Sequence, residues 1–187
     1  MISMLNNDIW NNENLICLLK VGGVVIMPTD TLYGIVGRVD NFSTVERIYT
    51  ARKRSPEKPC IILIGNTEDL KKFNIEIPEK EIFSAKEPTS IILDCPEEKF
   101  TYLHRGTKTL AFRVPAQKDL QNLLKQTGPL VAPSANLEGL PPAQNIAEAK
   151  KYFGDAIDLY IDGGEIKSKA SKVIRLHKNG SITMLRV

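Results

Sequence analysis

The chain has 187 residues, with 25 Lys and Arg against 22 Asp and Glu and a formal net charge of +3. Hydrophobic residues make up 42% and charged residues 25%, which excludes a disordered chain, a collagen-like repeat and a histone-like basic tail. A chain of this length buries roughly 70% of its unfolded surface and needs neither disulfides nor a structural metal to fold, while a charge of +3 identifies no partner.

The opening MISMLNNDIWNNENL has neither the basic start nor the long apolar stretch of a signal peptide. Leu15, Ile16, Leu18 and Leu19 then form a helical stripe that ends at Gly22-Gly23, and Val24 to Met27 is an apolar run of strand length. Ser43-Thr44-Val45-Glu46 reads as a capping box, so a helix is expected from near Thr44 to about Lys53, stopped by Ser55-Pro56. CIILIG, LKKF, SIILD, TLAFRV, a helix over about Lys118 to Lys125, and PLVAPSAN follow in turn, so strands and helices alternate. An amphipathic helix through Ile146, Ala147, Ala149, Lys150 and Phe153 closes at Gly154. DLYID, KVIRL and SITMLRV come last, the final two joined at His177-Lys178-Asn179-Gly180 as a hairpin. The pattern predicts one α/β domain over residues 1–187 built on a mixed sheet.

No apolar run approaches the roughly 18 residues of a membrane span, so the chain is expected to be soluble and cytoplasmic, without membrane contact. Cys17, Cys60 and Cys95 form no CxxC pair and have no histidine at ligand spacing, so they read as buried small hydrophobes and no protein metal site is expected. His104 and His177 read as surface or loop residues, and no Ser/His/Asp or Cys/His arrangement is visible.

Arg52-Lys53-Arg54-Ser55-Pro56-Glu57-Lys58 holds four cations and one carboxylate, so this segment alone matches the charge excess of the whole chain. It reads either as a solvated helix end, where the dipole favours cations, or as a phosphate-binding loop between helix and strand. Pro28-Thr29-Asp30-Thr31-Leu32-Tyr33-Gly34 follows the first strand; its hydroxyls and carboxylate suit either a capping turn or a ligand site at a strand end. In Ala132-Pro133-Ser134-Ala135-Asn136, the serine and asparagine lie two apart and point the same way in extended chain. Arg113 closes an apolar strand and needs an anionic partner, either a protein carboxylate or the carboxylate or phosphate of a ligand.

PTDTLYG, RKRSPEKP, LAFRVP and APSANLEGLPP, in this order and at these separations, resemble the YrdC-like family of threonylcarbamoyl-AMP synthases, over about Val24 to Pro142 with weaker agreement to Val187. The resemblance implies an open twisted mixed α/β sheet flanked by helices, with a concave basic site. It also implies that L-threonine, bicarbonate and ATP give threonylcarbamoyl-AMP and pyrophosphate. Magnesium would travel with the nucleotide phosphates, and the product would pass to a tRNA threonylcarbamoyl-transfer machinery, with tRNA contact possible. Carried over by position, Thr31, Arg113, Ser134 and Ser171 would face threonine, while Arg54, Lys58, Asn136 and Gln144 would face ATP. Arg52, Arg54 and Lys58 would neutralise charge as it redistributes over the phosphates.

The chain departs from the family pattern in several places. Arg52 stands where lysine is expected, Ser55 where proline is usual, Leu63 where some relatives carry histidine, and Ser84 to Ser90 in place of a Trp-Pro-Gly-Pro region. Two other readings stand beside the synthase: a non-catalytic RNA-binding module whose basic loop tracks phosphates, and a paralogue acting on another carbamoyl or carboxylate substrate.

Overall fold

A computed structural model describes residues 7–77 and 80–187. Residues 1–6, on which part of the leader reading rests, lie outside the described residues. In chain order the first elements are α1 (Glu13–Lys20), β1 (Val25–Pro28), β2 (Tyr33–Arg38), α2 (Phe42–Arg52) and β3 (Ile61–Leu63). They are followed by β4 (Thr89–Asp94), α3 (Thr101–His104), β5 (Thr109–Arg113), α4 (Lys118–Thr127) and β6 (Leu130–Val131). The last are α5 (Ile146–Phe153), β7 (Leu159–Tyr160), β8 (Lys172–Leu176) and β9 (Ile182–Arg186).

The strands form one nine-stranded sheet in the order β7-β1-β2-β6-β3-β5-β4-β8-β9. β1 pairs with β7, β3 with β5 and β4 with β8 in parallel; the remaining neighbours run antiparallel, so the sheet is mixed. Successive side chains of a strand point to opposite faces, and here each face has a core of its own. Val24, Ile26, Ile62, Ile64 and Val131 pack with α2 and α5 on one side. Val25, Met27, Leu63 and Leu130 pack with Trp10, α1 and α4 on the other. Burial on both faces is why the apolar run at Val24 to Met27 is unbroken rather than alternating.

Local chemistry shifts several predicted boundaries. α2 begins at Phe42, two residues before the expected start, because Asn41 is its cap: its Oδ1 accepts the Thr44 N–H at 3.1 Å. The proposed box residues are engaged elsewhere, with Ser43 Oγ donating to Asn41 at 2.8 Å and Glu46 pairing with Arg105 at 2.6 Å. The Thr44 hydroxyl donates to the Gly22 carbonyl at 2.6 Å, tying α2 to the turn after α1. Strand β2 carries no clear sequence signal, since Gly34 and Gly37 weaken its β pattern. Gly37 is needed there because a Cβ would run into the Thr44 side chain.

Two further expectations are corrected. Cys17 is exposed, whereas Cys60 and Cys95 are buried as expected. His104 is buried, not superficial: its Nδ1 accepts the Gly106 N–H at 3.1 Å, and its Nε2 lies 3.3 Å from the Glu97 carbonyl oxygen. It closes the turn after α3 and does not reach the ligand motifs.

Candidate active site

The PTDT segment is the turn of the β1–β2 hairpin. Thr29 Oγ1 donates to the Leu32 carbonyl at 2.7 Å and accepts the Thr31 and Leu32 N–H groups at 3.3 Å, so the first threonine builds the turn. That fixes the buried Thr31 hydroxyl beside Arg113, which arrives at the end of β5 and donates to it from NH2 at 3.3 Å.

Arg113 has a protein carboxylate as its partner. Its NH2 donates to Asp30 Oδ1 at 2.6 Å, with the two side chains only 4% and 2% exposed. Its NH1 reaches Ser90 Oγ at 3.4 Å, and Ser90 Oγ lies 2.9 Å from Ser171 Oγ. Arg186, at the end of β9, donates from Nε to the Ser171 carbonyl at 2.9 Å and from NH2 to Ser171 Oγ at 3.3 Å. Arg113 Nε and Asp30 Oδ2 remain buried without a hydrogen-bond partner. Two guanidinium groups against one carboxylate leave this cluster with one positive charge, and desolvation with the nearby Arg113 pushes the Arg186 pKa down.

These groups surround a small cavity of about 80 Å³ lined by Thr31, Arg113, Ser134, Ser171 and Arg186, among others. The four residues assigned to threonine by motif position thus come from four separate segments to one cavity. The sequence marks Asp30 as the carboxylate of its turn but not as the partner of Arg113, and gives Ser90 and Arg186 no site role. Arg186 carried the same signal as Arg113, a guanidinium within an apolar strand, but it lies close to the chain end, outside the motifs. The loop beside the cavity is tied down by Tyr33, whose hydroxyl donates to the Gly164 carbonyl and accepts the Gly163 N–H, both at 2.8 Å. Burial pushes the Tyr33 phenol up.

A second cluster joins the basic loop to the segment after β6. α2 ends with Lys53 in the left-handed region at φ 50°, which turns the chain out of the helix. Arg52 is not part of a solvated helix end: it is 3% exposed, with Nε donating to the Asn136 carbonyl and NH2 to Asn136 Oδ1, both at 3.0 Å. Burial, and then the nearby Arg54, lower its pKa to about 10, so it stays cationic at neutral pH. Its NH1 is buried without a hydrogen-bond partner. Arg54 folds back on its own loop, donating from Nε to the Lys58 carbonyl and from NH2 to the Pro59 carbonyl, both at 3.0 Å. Tyr49 adds a bond to the same Lys58 carbonyl at 2.9 Å.

Asn136 accepts Ser134 Oγ at 2.6 Å and donates from Nδ2 to the Leu137 and Leu140 carbonyls at 2.8 Å. Its amide is therefore a tie between loops, joining the threonine-side Ser134 to the nucleotide-side Arg52. Lys58 Nζ pairs with Glu138 Oε1 at 2.5 Å, while the Ser55 N–H donates to Glu138 Oε2. Gln144 is exposed just ahead of α5; its N–H donates to Glu148 at 2.8 Å and its carbonyl accepts Ile166 N–H at 2.7 Å. In the altered segment from Ser84 to Ser90, Glu87 pairs with Lys172 of β8.

A family model named Sua5_yciO_yrdC, described as telomere recombination, matches residues 17–187, and the chain belongs to this Sua5/YciO/YrdC family. A threonylcarbamoyl-AMP synthase of Pseudoalteromonas translucida is 35% identical over 155 residues, covering 79% of this chain and 82% of the relative. A threonylcarbamoyl-AMP synthase of Pyrococcus abyssi is 32% identical over 163 residues, covering 84% of this chain but 48% of its own length. The chain thus spans about half of that longer relative. The crystal structure of P. abyssi Sua5 complexed with L-threonine superposes with a TM-score of 0.81 at 30% identity, over 95% of this chain and 54% of that one. Among the described residues, no helix is long and apolar enough to cross a membrane.

Proposed function

We propose that this chain is a threonylcarbamoyl-AMP synthase, joining L-threonine, bicarbonate or carbon dioxide, and ATP into threonylcarbamoyl-AMP with release of pyrophosphate. Its product would serve the N6-threonylcarbamoyladenosine modification of tRNA. The observation that carries the reading is the meeting of Thr31, Arg113, Ser134 and Ser171 on one cavity that retains a positive charge. Such a cavity suits the carboxylate and hydroxyl of a small amino acid. Arg113 holds the carboxylate, while the hydroxyls orient the remaining polar groups.

The chemistry needs no protein nucleophile. Bicarbonate takes up a proton and loses water to give carbon dioxide; the neutral threonine amine adds to its carbon and releases one N–H proton to solvent, leaving a carbamate. A carbamate oxygen attacks the α-phosphorus, and the bond to pyrophosphate breaks with its electron pair leaving on that group. Positioning and charge stabilisation carry the step. Arg52, fixed through Asn136 and with NH1 unpaired, and the Arg54–Lys58 loop supply the positive charge. Among the described residues no group of three or more His, Cys, Asp and Glu could hold a metal. Magnesium would come with the nucleotide, held mainly by phosphate oxygens.

The test is pyrophosphate release. It should require ATP, L-threonine and bicarbonate together, and release that continues unchanged without threonine would refute the reading. Arg113→Ala should raise the threonine KM far more than the ATP KM; equal effects would refute the carboxylate assignment.

A further inference from the structure

Glu138 lies among the groups that a phosphate would be expected to use. One carboxylate oxygen holds the Lys58 ammonium at 2.5 Å, and the other accepts the Ser55 N–H. These contacts cross 80 and 83 residues of sequence, so the carboxylate is delivered by the fold and is not a local neighbour. The Ser55 contact exists only because position 55 is not proline: a proline there would have no N–H to donate. The main chain of Glu138 is anchored independently, its N–H donating to the Arg52 carbonyl at 2.9 Å. Its side chain is 28% exposed. The carboxylate can therefore rotate toward water without moving the loop that carries it.

We propose that Glu138 is the resident anion of the basic loop, occupying in the free protein the Lys58 and Ser55 donors that a nucleotide phosphate takes when ATP binds. Glu138 then sets nucleotide affinity: ATP binds by displacing a carboxylate rather than by filling an open cationic site. The Lys58 ammonium and the Ser55 N–H hold the Glu138 carboxyl below the usual carboxylate range, so it competes as a full anion at neutral pH. A carboxylate and a phosphate held together on these donors would repel each other, so each weakens the hold of the other. The alternative role, a permanent brace that aims Lys58 at the phosphate, makes the opposite prediction. Displacement predicts that removing the charge tightens nucleotide binding; a brace predicts that it weakens it.

The inference rests on the reading that the loop from Arg52 to Lys58 binds the triphosphate. Calorimetric titration of the wild type and the Glu138→Gln, Glu138→Ala and Lys58→Ala variants with ATP-magnesium and with inorganic pyrophosphate tests the two separately. Both Glu138 variants should bind ATP and pyrophosphate about 2–5-fold more tightly at low salt, the strength of one exposed ion pair. The gain should shrink as salt rises, a response that a merely structural effect would not give. Lys58→Ala should weaken both ligands. If Lys58→Ala weakens binding while neither Glu138 variant tightens it, the resident-anion proposal fails and the loop assignment stands. If Lys58→Ala leaves both affinities unchanged, the loop assignment fails and the proposal falls with it. Two Glu138 substitutions of different size keep the result independent of any packing change in one of them.

Discussion

The Asp30–Arg113 pair gives the sharpest prediction about the site's construction. Asp30→Asn retains an oxygen to accept the Arg113 N–H but removes the charge that balances a guanidinium whose side chain is 4% exposed. Removing one partner of a buried ion pair costs about 3–5 kcal/mol, since the other is left uncompensated. The retained amide oxygen, together with the Thr31 and Ser90 hydroxyls at 3.3 and 3.4 Å, sets the expected cost near the lower end, at about 3 kcal/mol. For a chain of this length that lowers the melting midpoint by about 6–12 °C. Urea and thermal denaturation of the variant, measured beside an Asp30→Asn/Arg113→Met double variant, test the account. The double variant buries no charge and should recover much of the loss. A single variant within about 1 kcal/mol of wild type, or a double variant no better than the sum of its parts, would refute the claim that these charges are desolvated against each other.

Asp158 accepts the Val24 N–H at 2.7 Å and two bonds from Arg47 at 3.0 and 2.9 Å, joining α2, β1 and β7. The Arg47 hydrogen bonds hold its pKa below the ordinary 3.8. A depressed carboxylate contributes stability that is complete above its unfolded value and is lost as pH falls through the folded one. Asp158→Asn should therefore cost about 1 kcal/mol at neutral pH, the upper range for a partly exposed pair, with the gap to wild type closing in acid. A gap independent of pH in urea melts would contradict this. The thiols offer a simpler check: Cys17 is exposed, Cys60 and Cys95 are buried, and burial pushes the Cys95 thiol up to about 11. One thiol per chain should react promptly with a disulfide reagent and the other two only after denaturation; prompt reaction of all three would contradict the packing around β3 and β4.

Where the sequence reading succeeded, the determining interactions were short-ranged. The continuous run at Val24 to Met27 announces a strand buried on both faces, and its residues do divide between the two cores. Glycine after an apolar stripe announces the end of α1, and Gly22 adopts φ 89° there. The capping box at Ser43 to Glu46 is equally local and yet does not form. Asn41 takes the cap while Thr44 and Glu46 are drawn to Gly22 and Arg105, partners a local window does not contain. His104 differs: its ring contacts, the Gly106 N–H and the Glu97 carbonyl, lie within seven residues, yet its buried position leaves no mark in the local pattern.

The same distinction governs the site. Motif order picks out which side chains meet, but their pairings are products of the fold. Arg113 needs an anion, and the fold supplies one in Asp30, 83 residues away in sequence, to which a substrate carboxylate would be a second partner. The charge shows this most clearly. Counted along the chain, the segment from Arg52 to Lys58 holds an excess of three positive charges, equal to that of the whole protein. In three dimensions Arg52 is buried against Asn136, Arg54 is bonded to its own loop carbonyls, and Lys58 is paired with Glu138. Bonds to neutral oxygens leave Arg52 and Arg54 cationic, so of these contacts only the Lys58–Glu138 pair cancels charge and lowers the excess of the loop. The affinity of the loop for a phosphate then depends on whether the ligand replaces Glu138 at Lys58, the one contact of the three that is ionic on both sides.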